Sequence, residues 1–157
     1  MRIGIIQATS QKSKNQILEK CVKQAVTAKD EVFNFGIFSD SDTQLSYVQV
    51  ALAVALLINS NAVDFVITEC SSGQGMILAC NTFPNIQCGY VPTAQDAFLF
   101  AQINNGNVAS LPLGLNYAPV YDFLMQNGQN PALNRTCQIF CVNSSFSQID
   151  FLIIYSK

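Results

Sequence analysis

The stretch Asp64-Phe-Val-Ile-Thr-Glu-Cys-Ser-Ser-Gly-Gln-Gly-Met76 decides how the rest of the chain is read. A short apolar run, Asp64 to Thr68, leads into Glu69 and Cys70. A loop of small residues follows, and a helical pattern begins at Gly75 and runs to Asn81. This order predicts a buried strand feeding a helix through a turn rich in backbone N–H groups. Such a turn suits an anion, or an oxygen on which negative charge develops. Cys70 is therefore the candidate reactive group, and the Ser71 to Gly75 backbone is its candidate cradle. The alternative for the same residues is a buried structural cysteine beside a tight turn.

Working outward, the pattern of strand then helix repeats. Arg2 to Ala8 reads as a first strand, and Lys12 to Ala28 as a helix with Ile17, Leu18, Cys21, Val22, Ala25 and Val26 on one face. Glu31 to Phe38 alternates as a second strand, and Ser39 to Asp42 is a turn cluster. Leu45 to Asn59 is a strongly apolar helix. Beyond the central stretch come a turn at Phe83 to Asn85, a fourth strand at Gln87 to Val91, and a helix from Pro92-Thr93 to about Gln102 with Ala97, Phe98 and Ala101 inward. A fifth strand at Val108 to Leu113 and a fifth helix at Ala118 to Gln126, with Pro119 in its first turn, complete the series. Asn127 to Asn134 reads as a loop. Such alternation predicts a parallel sheet with helices on both faces, and a ligand at the carboxyl ends of its strands. The tail, Gln138 to Val142 and Ile149 to Tyr155, fits a hairpin, extra edge strands, or a helix over Ser147 to Ser156, and the sequence does not choose.

Composition narrows the chemistry. Histidine is absent, which excludes Ser-His-Asp and Cys-His catalysis and histidine metal sites. None of the six cysteines forms a Cys-x-x-Cys pair, and the Cys137–Cys141 spacing fits neither a zinc ribbon nor a thioredoxin-type motif. The net charge of −2 argues against nucleic acid as a partner. The apolar run Val48 to Ile58 is too short to span a bilayer, so no membrane partner is expected. Met1 to Thr9 reads as a strand rather than a signal peptide, which makes a cytoplasmic protein with reduced thiols the expectation. Half the residues are hydrophobic and 11% are charged, so some apolar surface should be covered by a second copy. At 157 residues a single domain, 1–157, is expected, with a divergent tail from about residue 135.

Cys70-Ser-Ser-Gly-Gln-Gly-Met76 resembles the Cys-Gly-Thr-Gly-x-Gly-x loop of the ribose-5-phosphate isomerase B and galactose-6-phosphate isomerase family. Asn34-Phe-Gly before an acidic turn, Tyr47 at the head of the second helix, Asn81 with Pro84-Asn-Ile86 and Cys88, and Asn104-Asn-Gly-Asn-Val108 are also similar to that family's segments. The likeness covers residues 1 to about 115. It implies a three-layer α/β/α Rossmann-like sandwich with a mainly parallel five-stranded sheet, working as a homodimer or a dimer of dimers without metal or cofactor. It also implies aldose–ketose isomerisation of a phosphorylated pentose or hexose through an enediolate. By position, Cys70 would move the proton. Ser71, Gly73 and Gly75 would offer backbone amides, and Ser72 and Asn104 would touch the sugar, with Tyr47 beside them. The family's Asp-His in the first loop is Ala8-Thr9 here, its histidine before the asparagine is Ile103, and of its C-terminal arginines only Arg135 remains. These departures leave ring opening to Ser72, Thr9 or water and the phosphate to Arg135, or imply a different substrate or a weak catalyst. The alternatives are a non-catalytic sugar-phosphate binding protein of the same fold and a thiol-redox protein using Cys70.

Isomerisation needs a base that takes a carbon-bound proton and returns it one atom along, and a thiol near neutrality can do so. A helix N-terminus favours the thiolate. Glu69 alternates to the side opposite Cys70. It is read either as a group facing solvent or a helix end, or as a second acid–base group in place of histidine. Lys12, Lys14 and Arg135 are read as surface cations or phosphate contacts, and Asn104 to Asn107 as a turn or a sugar contact.

Overall fold

The computed structural model describes residues 1–37, 44–114, 137–140 and 152–155. Five strands form one all-parallel sheet: β1 (Arg2–Gln7), β2 (Glu31–Asn34), β3 (Phe65–Cys70), β4 (Cys88–Tyr90) and β5 (Val108–Pro112), in the order β2-β1-β3-β5-β4. Four helices are interleaved: α1 (Asn15–Ala25), α2 (Tyr47–Asn59), α3 (Gln74–Cys80) and α4 (Ala94–Leu99). Separately, β6 (Cys137–Phe140) and β7 (Leu152–Tyr155) pair antiparallel, so within the tail the hairpin reading holds and the helix reading does not. The turn at Ser39 to Asp42, the helix at Ala118 to Gln126, the loop at Asn127 to Asn134 and Arg135 lie outside the described residues.

The sheet separates two apolar layers, as expected for a Rossmann-like sandwich. On one face Leu18, Cys21, Val22 and Ala25 of α1 and Ala97 of α4 pack on Ile3, Ile5, Ile67 and Leu111. On the other, Val50, Ala51, Val54 and Ala55 of α2 and Met76 and Cys80 of α3 pack on Ile6, Val66, Cys88 and Val108. Strands with both faces covered read as near-continuous apolar runs, which is why β1, β3 and β5 stand out in the sequence.

Several boundaries differ from the sequence reading. The first helix does not start at Lys12: a tight 3-10 turn, Thr9–Lys14, precedes it, and Asn15 is fully buried at its start. It ends at Ala25 because Thr27 and Asp30 form a local turn, with the Thr27 N–H and hydroxyl both donating to Asp30 Oδ2 at 3.0 and 2.7 Å. β2 stops at Asn34 rather than Phe38, since the Asn34 side chain accepts from Gly36 N–H and turns the chain. α2 begins at Tyr47, capped by Ser46, whose hydroxyl accepts from Gln49 N–H while Gln49 Oε1 accepts from Ser46 N–H. α4 is shorter than expected and continues through a wide π turn, Phe100–Asn104, with Ala97 buried and Phe98 and Ala101 half-buried.

Chain order reverses at β1: β2 lies to one side of it and β3 to the other. The carboxyl ends of neighbouring strands at such a reversal leave a crevice open to ligand.

Candidate active site

β3 runs two residues beyond the expected Thr68, so that Cys70 is its last residue, paired with Pro112 of β5. The chain then crosses Ser71 and Ser72 and enters α3 through Gly73, whose φ of 76° is left-handed. That conformation favours glycine. A side chain here would also meet the Tyr90 ring at 2.7 Å. The turn directs Gly73 N–H at Cys70 Sγ, 3.1 Å away. Ser110 of β5 fixes the turn from below by donating its hydroxyl to the Gly73 carbonyl at 2.9 Å. From the side, Leu113 N–H donates to the Cys70 carbonyl at 3.2 Å and Gly114 N–H to the Ser71 carbonyl at 2.8 Å. The Cys70 turn is thus held at three points, by Ser110 of β5 and by Leu113 and Gly114 just beyond it.

Above the sulfur opens a cleft of about 410 Å³ lined by Ala8, Ser10, Leu45, Ser46, Tyr47, Cys70, Ser71, Ser72 and Gly75. It lies between the ends of β1 and β3, at the reversal of chain order. Cys70 forms its floor and is only 8% exposed, whereas Ser71 and Ser72 are open to solvent. Tyr47 forms one wall, 46% exposed, with its ring edge beside Gly75. Thr9 does not line the cleft: its hydroxyl donates to the Leu45 carbonyl at 3.2 Å and accepts from Leu45 N–H at 2.8 Å, which ties two walls together. Among the described residues the lining carries no charged side chain, and its titratable groups are Cys70 and Tyr47.

The chain belongs to the ribose/galactose isomerase family. The family's sequence model matches residues 4–120. Among solved structures, the chain is similar to a 4-deoxy-L-threo-5-hexosulose-uronate ketol-isomerase complexed with a tartrate (48% identity, TM-score 0.70, 72% of this chain and 54% of that one). It is also similar to a ribose-5-phosphate isomerase from Vibrio parahaemolyticus (39% identity, TM-score 0.71, 75% and 57%). A ribose 5-phosphate isomerase from Thermotoga maritima is 28% identical, with a TM-score of 0.58 over 80% of this chain and 83% of that one. The chain thus spans little more than half the length of the first two. No curated protein sequence matches it.

Within this family fold, two more of the expected site residues, Glu69 and Asn104, lie away from the cleft. Glu69 does not face solvent. It is fully buried on the α1 side of the sheet, the face opposite Cys70, and neither carboxyl oxygen has a hydrogen-bond partner among the described residues. Burial pushes its carboxyl well above the carboxylate range, and the Lys14 ammonium acts in the opposite direction. Asn104 lies at the opposite end of the sheet, because α4 returns the chain to the start of β5. Val108 there pairs with Val66 and Cys88, four strand positions before the Pro112–Cys70 pair, or about 13 Å at ~3.3 Å per residue.

Ser10 lines the cleft as part of the Ala8 to Gln11 segment, which follows the first strand and is expected at the carboxyl ends of the strands. Sequence reading missed the part played by Ser46. It was legible as a helix cap, three residues before Gln49. Lys14 is turned inward, its Nζ donating to the Leu113 carbonyl. Cys21, Cys80 and Cys88 are buried core thiols. Among the described residues no helix is long and apolar enough to cross a membrane, and no group of side chains is placed to hold a metal ion.

Proposed function

We propose that the protein is an aldose–ketose isomerase acting on the open-chain form of an anionic sugar, a phosphorylated pentose or hexose, with Cys70 as the proton-transfer base. The observation that carries this is the Gly73 N–H aimed at Cys70 Sγ on the floor of an open cleft. An amide placed so donates to the charged sulfur. The sulfur would take the proton from C2 and return it to C1. The carbonyl oxygen would gain the proton that the neighbouring hydroxyl gives up, with the Ser72 hydroxyl as carrier. Backbone N–H groups of the Ser71–Gly75 turn would hold the enediolate oxygens, each worth a few kcal/mol in the transition state. Family membership supports the reaction class, and the two similar structures are described as isomerases of acidic sugars, a uronate and a ribose phosphate.

Among the described residues the lining is uncharged, which supports placing the reacting end of the sugar here rather than its anionic group. Arg135 is the proposed anion contact. Asn104 cannot reach Cys70 of its own chain across the sheet, so its proposed role as a sugar contact requires a second copy. Val48, Leu52 and Leu56, successive along the outer side of α2, and Leu78 of α3 leave an exposed apolar stripe beside Tyr47 that a second copy would cover.

The test is proton exchange. Protein in heavy water is given ribose 5-phosphate, a hexose 6-phosphate and an unphosphorylated uronate, and deuterium at C2 is followed by NMR. Exchange that disappears in Cys70→Ala is expected, and exchange that survives it refutes the assignment. A non-catalytic sugar-binding role is the second reading, favoured by the scarcity of titratable groups in the cleft. Saturable binding without exchange would establish it.

A further inference from the structure

Two segments line the cleft, and they differ in chemistry. The turn after Cys70 supplies the exposed Ser71 and Ser72 and its backbone amides. The wall formed by Ala8, Leu45 and Tyr47 supplies carbon. Ala8 follows Gln7, the register partner of Glu69, so its buried methyl lies beside Cys70 on the same face of the sheet. Leu45 is half-buried against the same layer, and Tyr47 presents its ring edge beside Gly75.

The polar groups of this wall are committed to one another. Leu45 N–H donates to Thr9 Oγ1 at 2.8 Å. The Leu45 carbonyl accepts from Thr9 N–H at 3.0 Å and from the Thr9 hydroxyl at 3.2 Å. Ser46 N–H and the Ser46 hydroxyl both donate to Gln49 Oε1 at 2.9 Å, and the hydroxyl accepts from Gln49 N–H in return. Ser10 stands exposed near them. A sugar carbon resting on Ala8 and Leu45 therefore meets only their methyl and methylene groups. A hydroxyl on that carbon would lose water and find no partner on these two side chains, which is unfavourable. A methylene there has no such cost and gains by leaving water.

We infer that the sugar seated in this cleft is a deoxy sugar, with a methylene in place of a hydroxyl-bearing carbon at C3 or C4, and that Ala8 and Leu45 set this preference. The inference deepens the proposed isomerisation and rests on Cys70 as the reacting group. C1 and C2 must keep both their oxygens for the enediolate to form. The missing oxygen therefore falls on the carbons that follow.

The experiment follows C2 deuteration in heavy water for glucose 6-phosphate and its 3-deoxy and 4-deoxy analogues, and for ribose 5-phosphate and its 3-deoxy analogue. Rates are referred to the open-chain fraction of each sugar in the same NMR spectra, and saturation-transfer NMR gives Kd for each. A deoxy analogue should exceed its parent by about tenfold to a hundredfold in kcat/KM, the range over which an apolar pocket rejects an added hydroxyl. Leu45→Asn and Ala8→Ser place a polar partner on the wall, and each should reduce that ratio by about threefold or more. The ratio compares two sugars on one protein, so a variant that is merely less stable lowers both rates and leaves it unchanged. Parent sugars exchanged as fast as every deoxy analogue overturn the inference, as does a ratio that neither variant changes. Exchange that is lost in Cys70→Ala but shows no deoxy preference upholds the isomerase reading alone. If no sugar exchanges, the isomerase reading falls and the Kd ratio decides. Tighter binding of a deoxy analogue then upholds the inference, and equal binding or none overturns it.

Discussion

Two glycines two residues apart in the reactive turn should respond to alanine with opposite signs. Gly73 sits at φ 76°, where a non-glycine residue costs roughly 1–2 kcal/mol. A methyl there would also come within 2.7 Å of the Tyr90 ring, and relieving such a clash adds about 1 kcal/mol or more. Gly73→Ala is therefore expected to lose about 2–3 kcal/mol. Gly75 lies inside α3 with no left-handed backbone, and a methyl there would meet the Tyr47 ring at an ordinary 3.5 Å. Alanine in place of a helical glycine is favourable by roughly 0.5–1 kcal/mol, so Gly75→Ala should be slightly more stable than wild type. Urea unfolding followed by circular dichroism measures both, and the two variants should differ by about 3 kcal/mol. Their reactivity should separate as well. Gly73→Ala moves the N–H now 3.1 Å from the sulfur and should slow Cys70 alkylation and sugar exchange, while Gly75→Ala narrows the cleft but leaves that N–H in place. Midpoints that shift in the same direction, or by the same amount, would refute the account of the turn.

Three further outcomes are expected. Glu69→Gln should flatten the dependence of stability on pH. An acid whose folded ionisation lies above its unfolded value stabilises the protein fully below the unfolded value of about 4.3, and that contribution is lost as pH rises toward the folded value, with a slope of up to about 1.4 kcal/mol per pH unit. Urea midpoints from about pH 4 to about pH 8 should fall in wild type and stay level in the variant, and parallel curves would contradict this. Ser46→Ala removes one half of the cap on α2 and should cost about 1 kcal/mol in the same unfolding assay. Met76→Ala, from a fully buried position between α3 and the sheet, should cost about 2–5 kcal/mol, and a smaller loss would mean that the layer beneath the cleft collapses freely.

What the sequence disclosed follows from what is local. The apolar runs of β1, β3 and β5 and the periodicity of α1 and α2 are properties of a few adjacent residues. The turn at Cys70 was likewise legible because its strand, small loop and helix are contiguous. The order β2-β1-β3-β5-β4 was not, since it depends on pairings between distant segments. Glu69 misled for a different reason. A carboxylate at a strand end is ordinarily a solvent-facing group, and only the complete packing of α1 and the 3-10 turn reveals that it is sealed in. Asn104 shows the third kind of failure. Its place in the family motif is a matter of sequence, but α4 carries it to the opposite end of the sheet. A motif residue that its own chain holds away from the reacting sulfur can act there only from a neighbouring chain. If Asn104→Ala depresses exchange, mixing that variant with Cys70→Ala should therefore restore part of the activity, because some mixed pairs then contain one cleft with both groups intact. No recovery on mixing, under conditions where subunits exchange, would confine Asn104 to its turn.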